Sequence, residues 1–330
     1  MKKRILLIYF ISIFILNAGE VDHFLAWKVY LKDASILVNQ YFNREITKTL
    51  NQLPDNCSCE TASSEILKSF GVVLNSPLEK WIKSNNKIEK FPNKKSENNN
   101  LFKKSIYWKD SNPTIEKSQM ISLKIMLDEI ININGIYIGV DKITHFTGSG
   151  YLYYKRYLSA IKKGDSHKLS MEKAIDLGII GEKNILGRYA SGVFSFADLE
   201  ANFQGLLFGI ELCSSAQPLI MEKNGRWAIS RSFNIKNYVN PYWNESYNPS
   251  YYYEGKNLTL FPKSITVLSN LSKYCETYNS ALIQNRFKKY QNNSTLSFSV
   301  KYLISLVNKN EIPNPKLFDI RKICSEVNLN

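Results

Sequence analysis

Apolar residues recur along most of the chain at the period of an α-helix. From about Asp22 to Leu50, the positions Phe24, Trp27, Leu31, Ile36, Val38, Phe42 and Ile46 predict one long amphipathic helix. Ser76-Pro77-Leu78-Glu79 places a hydroxyl at the N-cap, proline at N1 and a carboxylate at N3, which marks a second helix start. Between Ser84 and Ser105 the chain turns polar around Asn98-Asn99-Asn100, as a loop or insertion does. Asn112-Pro113 opens another helix, expected to run through Ile121, Ile125, Leu127 and Ile131 and to close near Gly135. Three more helices follow closely: one from Asp141 to about Lys163, one from Ser170 to about Tyr189, and one from Ser195 to about Leu212. Past Cys213, Arg226 to Phe233 alternates enough for a short strand or hairpin arm. Asn240 to Tyr253 reads as a loop rich in Asn, Pro and aromatics, and helices resume near Ser264, Ser280 and Ser294. Connections are short, so the expected fold is mostly α: one α-rich globular domain over 20–330 with a central three-helix motif, a short β-hairpin and long irregular loops.

The N-terminus changes the compartment. Met1-Lys2-Lys3-Arg4 is a basic start, Ile5 to Leu16 is apolar except for Ser12, and Asn17-Ala18-Gly19 supplies small residues suited to cleavage. Residues 1–19 therefore read as a signal peptide and the protein as periplasmic or secreted, with an uncleaved anchor as the alternative. The apolar run is shorter than the roughly 20 residues a bilayer span needs. No later stretch is long and apolar enough to span, so no transmembrane segment is expected after cleavage. The formal charge of +14 falls to about +11 once the basic start is removed. Most of the lysines are scattered, as on a solvated face, but the excess also suits an anionic envelope surface or cell-wall polymer. No nucleic-acid-binding motif is present. The five cysteines, Cys57, Cys59, Cys213, Cys275 and Cys324, leave at least one thiol unpaired. Cys57 or Cys59 is expected to reach a distant partner, and Cys213–Cys275 is the natural guess for a second bridge.

The candidate chemistry lies in the three middle helices. Asp141, His145 and Gly148 sit at i, i+4 and i+7, with Leu152 continuing the stripe. Gly178, Glu182 and Ile185 repeat that spacing, with Tyr189 beyond, and Asp198, Asn202 and Gly205 do so again. Glycine inside a helix costs about 0.5–1 kcal/mol relative to alanine, and close approach of another helix is a common reason to keep it. The three faces are thus expected to meet, joining His145, Glu182, Asp198 and Asn202, with Arg188 near enough to neutralise a carboxylate. One reading is purely structural: Ser195 to Asp198 is a capping box, Asp141 an N-cap, and the rest a satisfied buried network. A second makes His145, Glu182 and Asp198 an acid–base set, with Asp141, Asn202 and Arg188 contacting a ligand. The third lets His145, Glu182 and Asp198 hold a divalent metal, of a harder kind than zinc, although no cofactor is required. Trp243 and Tyr247, in the aromatic loop, suit either sugar or peptide stacking or the plugging of a core.

Asp141-Lys142-Ile143-Thr144-His145-Phe146 resembles the DKxxHF opening of the VanZ-like proteins and of the YfiM-like periplasmic lipoproteins. Glu182, Arg188, Ser195, Asp198, Asn202 and Gly205 follow in the order found in those families, and the likeness spans about residues 141–208. It departs from them in that these helices are too polar for a multi-spanning membrane protein and no lipidated cysteine follows the apolar run. The resemblance implies an envelope-associated helical module whose polar groups converge. It implies no particular reaction, so the expected role is binding or structural, with acid–base or metal-assisted hydrolysis of an envelope polymer or lipid headgroup as the alternative.

Overall fold

The computed structural model describes residues 19–71, 76–93, 99–184, 187–254, 264–293 and 295–327. The signal-peptide reading of residues 1–18 lies outside them, as does Ile185. Helices carry most of the described chain, and the strands form three short antiparallel pairs.

Residues 22–50 are not one helix: a single turn at His23–Ala26 is followed by extended chain and then by α1, Ser35–Leu50. Asp22 caps the start of that single turn by accepting the Phe24 and Leu25 amides, and Asp33 accepts the Ser35 amide just ahead of α1. Such local side-chain bonds compete with helix continuation. Ile36, placed on the apolar face by its spacing, is exposed. Helix α2 is Cys59–Ser69, and α3, Pro77–Ser84, starts as its cap predicts, with Ser76 Oγ accepting the Glu79 amide.

Helix α4, Pro113–Met126, stops well before Gly135. The residues beyond it form a hairpin of β1, Ile130–Ile133, and β2, Ile136–Gly139, turning through Asn134 and Gly135 at positive φ. Asn-Gly between β-branched runs is the preferred two-residue hairpin turn, which outweighs the helical spacing of the isoleucines. A continuous helical segment over 141–162, α5, follows β2 directly. Next come α6, His167–Lys183, capped by Ser166, and α7, Phe196–Cys213, capped by Ser195. Strand β3, Val193–Phe194, pairs with the later Tyr251–Tyr252, while β4, Ile220–Lys223, and β5, Arg226–Ile229, form a hairpin through Asn224-Gly225. The C-terminal part adds α8, Ser264–Ser272, α9, Ala281–Asn293, α10, Phe298–Asn308, and α11, Ile320–Val327.

Two aromatic-rich cores carry the packing. One gathers Phe42, Phe146, Phe208, Phe233 and Tyr238, with Phe42 and Phe233 stacked 4.1 Å apart. The other gathers Phe24, Trp27, Phe287 and Tyr290. The disulfides are Cys59–Cys213, joining α2 to the end of α7, and Cys275–Cys324, joining the segment after α8 to α11, while Cys57 is free. The Cys213–Cys275 guess is therefore wrong. Cys213 is claimed by Cys59 because α2 packs along α7, a proximity that spacing along the chain does not reveal.

Candidate functional site

Helices α5, α6 and α7 do converge, and glycine is the reason α5 and α7 come so close. A β-carbon at Gly150 would fall 2.6 Å from Gly205 Cα, and one at Gly205 would strike the Phe146 carbonyl. At Gly178 a β-carbon would collide with the Tyr153 ring. The contact on α5 is thus Gly150, two residues beyond Gly148 of the predicted stripe, and Leu152 of that stripe is 45% exposed. The cause is a wide turn at His145–Ser149, where the helix takes an extra residue and rotates everything after it. Such π-turns recur at functional sites.

The side chains at this junction form one polar network. Lys142 is only 1% exposed, and its ammonium lies 2.7 Å from Asp141 Oδ2, 2.6 Å from Asp198 Oδ1 and 2.7 Å from Glu245 Oε1. His145 sits at the open side, its side chain 19% exposed. The imidazole Nε2 is 3.2 Å from Asp198 Oδ2 and Nδ1 is 3.0 Å from Asn202 Oδ1. Asn202 in turn donates to the Tyr153 hydroxyl. One oxygen or nitrogen atom each from Asp141, His145 and Asp198 lie within 4.8 Å of one another, a spacing that a single metal ion could bridge.

Ser195 is the hinge of the network. Its Oγ caps α7 by accepting the Asp198 amide at 3.1 Å and donates to Glu245 Oε1 at 3.1 Å. In a complete capping box the Asp198 carboxylate would reach back to the Ser195 amide. Here Glu182 Oε2 accepts that amide at 3.1 Å instead, which frees Asp198 for Lys142 and His145.

Five carboxylates, from Glu20, Asp141, Glu182, Asp198 and Glu245, interact around one lysine, and their titration is unequal. Burial raises Glu182 well above the usual carboxylate range, with Asp198 adding to it and the Ser195 amide opposing. Burial, then Glu245 and Asp198, raise Glu20 in the same way. Asp141 is pushed up by burial against the pull of Lys142. Asp198 goes the other way: burial would raise it, but His145 and Lys142 outweigh burial and hold it low. Burial would also lower Lys142, yet Asp141, Asp198 and Glu245 more than reverse this and keep it charged. Asp198 is therefore the anionic pole of the site, and the remaining acids crowd around a single cation.

Of the residues singled out from sequence, His145, Asp198, Asn202 and Asp141 meet directly. Glu182 joins them through Ser195 and is not among the three that lie within metal-bridging distance; Asp141 takes its place. Nor is Asp141 an N-cap, since it lies in the first turn with its carboxylate turned onto Lys142. Arg188 is exposed and rests on the Tyr253 ring at 5.2 Å, so the neutralising cation is Lys142. Trp243 is fully buried 5.7 Å from the Phe146 ring, and Tyr247 is buried against Phe287 and Tyr290. The loop rings plug the cores, and Trp243 is closed to any ligand. Sequence reasoning missed Lys142, Glu245 and Glu20. A signal existed for Glu245, which is the only charged residue between Asn240 and Tyr253.

No protein-family model matches this chain, and no curated protein or solved structure is similar to it.

Proposed function

We propose that the protein is exported to the cell envelope and that its central site holds one divalent cation through Asp141, His145 and Asp198. One observation carries the reading: three donor atoms from two facing helices lie within 4.8 Å of one another, and the imidazole that supplies one of them is fixed from behind by Asn202. A metal-ligating histidine is normally oriented by a hydrogen bond from its other ring nitrogen, here Nδ1–H to the Asn202 oxygen. The charge balance supports it as well, because several buried acids share one ammonium and an added cation relieves them. One nitrogen and two carboxylates suit a hard or borderline ion such as Mn²⁺.

Three protein ligands leave coordination positions for water or an anionic oxygen. His145 is the most exposed of the three, so the site opens to solvent on its side. This supports a second reading, metal-assisted hydrolysis of an envelope polymer or lipid headgroup, in which Asp141, His145 and Asp198 would hold the ion and the ion would supply Lewis-acid chemistry. The envelope location rests on the N-terminal pattern and on the DKxxHF-type likeness.

A melting series with divalent cations tests the proposal. Purified protein stripped with a chelator should gain stability on adding Mn²⁺, and His145→Ala should fold but lose the gain. Equal melting with and without every cation, in both proteins, would leave Lys142 as the sole counter-charge and remove the metal reading.

A further inference from the structure

We propose that a lysine-ringed cleft outside the central network binds the headgroup of an anionic phospholipid. The cleft, of about 410 Å³, has the half-buried Tyr274 and Leu101 on its wall and the largely buried Phe24 and Trp27 beneath them. Lys28, Lys103, Lys104 and Lys273 stand around it. These lysines come from three segments far apart in the chain, and buried polar bonds draw the segments together. Asp22 Oδ2 accepts the Ser105 hydroxyl and the Ile106 amide, while its Oδ1 accepts the Phe24 amide. Asn270 donates its side-chain amide to the Ile106 and Trp108 carbonyls, and the Tyr274 hydroxyl donates to the Lys104 carbonyl. The Cys275–Cys324 bridge secures the residue next to Tyr274. The convergence is therefore built by the fold and does not follow from a high lysine content.

The charge around the cleft is largely uncompensated. Lys103 pairs with Glu116 at 2.8 Å and Lys273 donates to the neutral Asn270 side chain, whereas Lys28 and Lys104 form no ion pair among the described residues. Partly open Tyr274 and Leu101 inside a ring of ammonium groups match a molecule with a phosphate head and an apolar body. Tryptophan and tyrosine favour that boundary between headgroups and hydrocarbon, and each lysine near an anionic surface adds binding that salt weakens. A free phosphodiester polymer has the charge but no apolar body to meet the rings.

Co-sedimentation with vesicles tests this. The purified protein should bind vesicles containing phosphatidylglycerol and leave phosphatidylcholine vesicles in solution. Lys28→Gln/Lys104→Gln, which breaks no ion pair, should weaken binding about 30-fold, on the basis of two surface lysines. Lys288→Gln/Lys289→Gln on α9 removes the same charge elsewhere and should bind as the parent does. Equal loss in both doubles would mean diffuse attraction and overturn the assignment. So would retention by a soluble phosphodiester polymer together with failure to bind the vesicles.

Discussion

Replacing Lys142 by methionine keeps most of the side-chain volume but takes the ammonium from three buried carboxylates 2.6–2.7 Å away. Removing one partner of a buried ion pair costs about 3–5 kcal/mol, because the other charge is left unpaired. Three acids are left behind here, so the upper half of that range is expected. For a chain of this size the loss corresponds to a melting temperature lower by roughly 6–8 °C at neutral pH. The loss should shrink in acid, where Asp141 and Glu245, already pushed upward by burial, take protons and need no counter-charge. Lys142→Met/Glu245→Gln should recover part of it at neutral pH. A divalent cation should also rescue Lys142→Met more than the parent, since it supplies the missing positive charge. Melting is followed by circular dichroism from pH 4 to 8. If Lys142→Met melts within about 1 °C of the parent at neutral pH, a difference under 1 kcal/mol, the ammonium is not what holds these acids together and the electrostatic account fails.

Gly205→Ala forces a β-carbon onto the Phe146 carbonyl and the Gly150 Cα, so it should cost about 3 kcal/mol by overpacking, read as a lower denaturation midpoint. His23 is driven down from 6.5 to about 3 by burial and then by Lys142, so it stays neutral in the fold. Its contribution is complete above 6.5 and is lost as pH falls toward about 3; His23→Gln should flatten that limb of a melting-versus-pH curve. Asp22, raised by burial from 3.8 to about 6, acts in the opposite sense: its contribution is present below 3.8 and lost as pH rises through about 6, so Asp22→Asn should remove that decline. Thiol titration of the unreduced, denatured protein should find the single free Cys57, and finding more than one would contradict the two bridges.

Much of the helical frame was legible because its signals are local. Ser76 and Ser195 cap where hydroxyl, spacing and following carboxylate say they should, and Gly178 and Gly205 do mark where α6 and α7 touch α5, although the glycine on α5 is Gly150 and not Gly148. What escaped notice depends on geometry that spacing cannot carry. The extra residue in the His145–Ser149 turn rotates Leu152 out to solvent, and no periodicity count includes it. Lys142 looked like one lysine among many on a basic chain; its burial follows from Glu245, a hundred residues later, closing over it. The β1–β2 hairpin was readable in principle from Asn134-Gly135, but the isoleucines around it also fit a helical stripe. The sequence called for a whole capping box from Ser195 to Asp198, and only the Ser195 half of it forms. That Glu182 takes the other half, leaving Asp198 free, required the positions of two helices at once.

The central claim is that the imidazole of His145 ligates a cation beside Asp141 and Asp198. Pulsed electron paramagnetic resonance of the Mn²⁺-loaded protein reads that ligation directly, through coupling of the metal spin to a coordinated nitrogen. The account predicts one imidazole nitrogen coupling in the parent and its disappearance in His145→Gln. Coupling that persists in His145→Gln, or a bound ion with no nitrogen coupling in the parent, would contradict it.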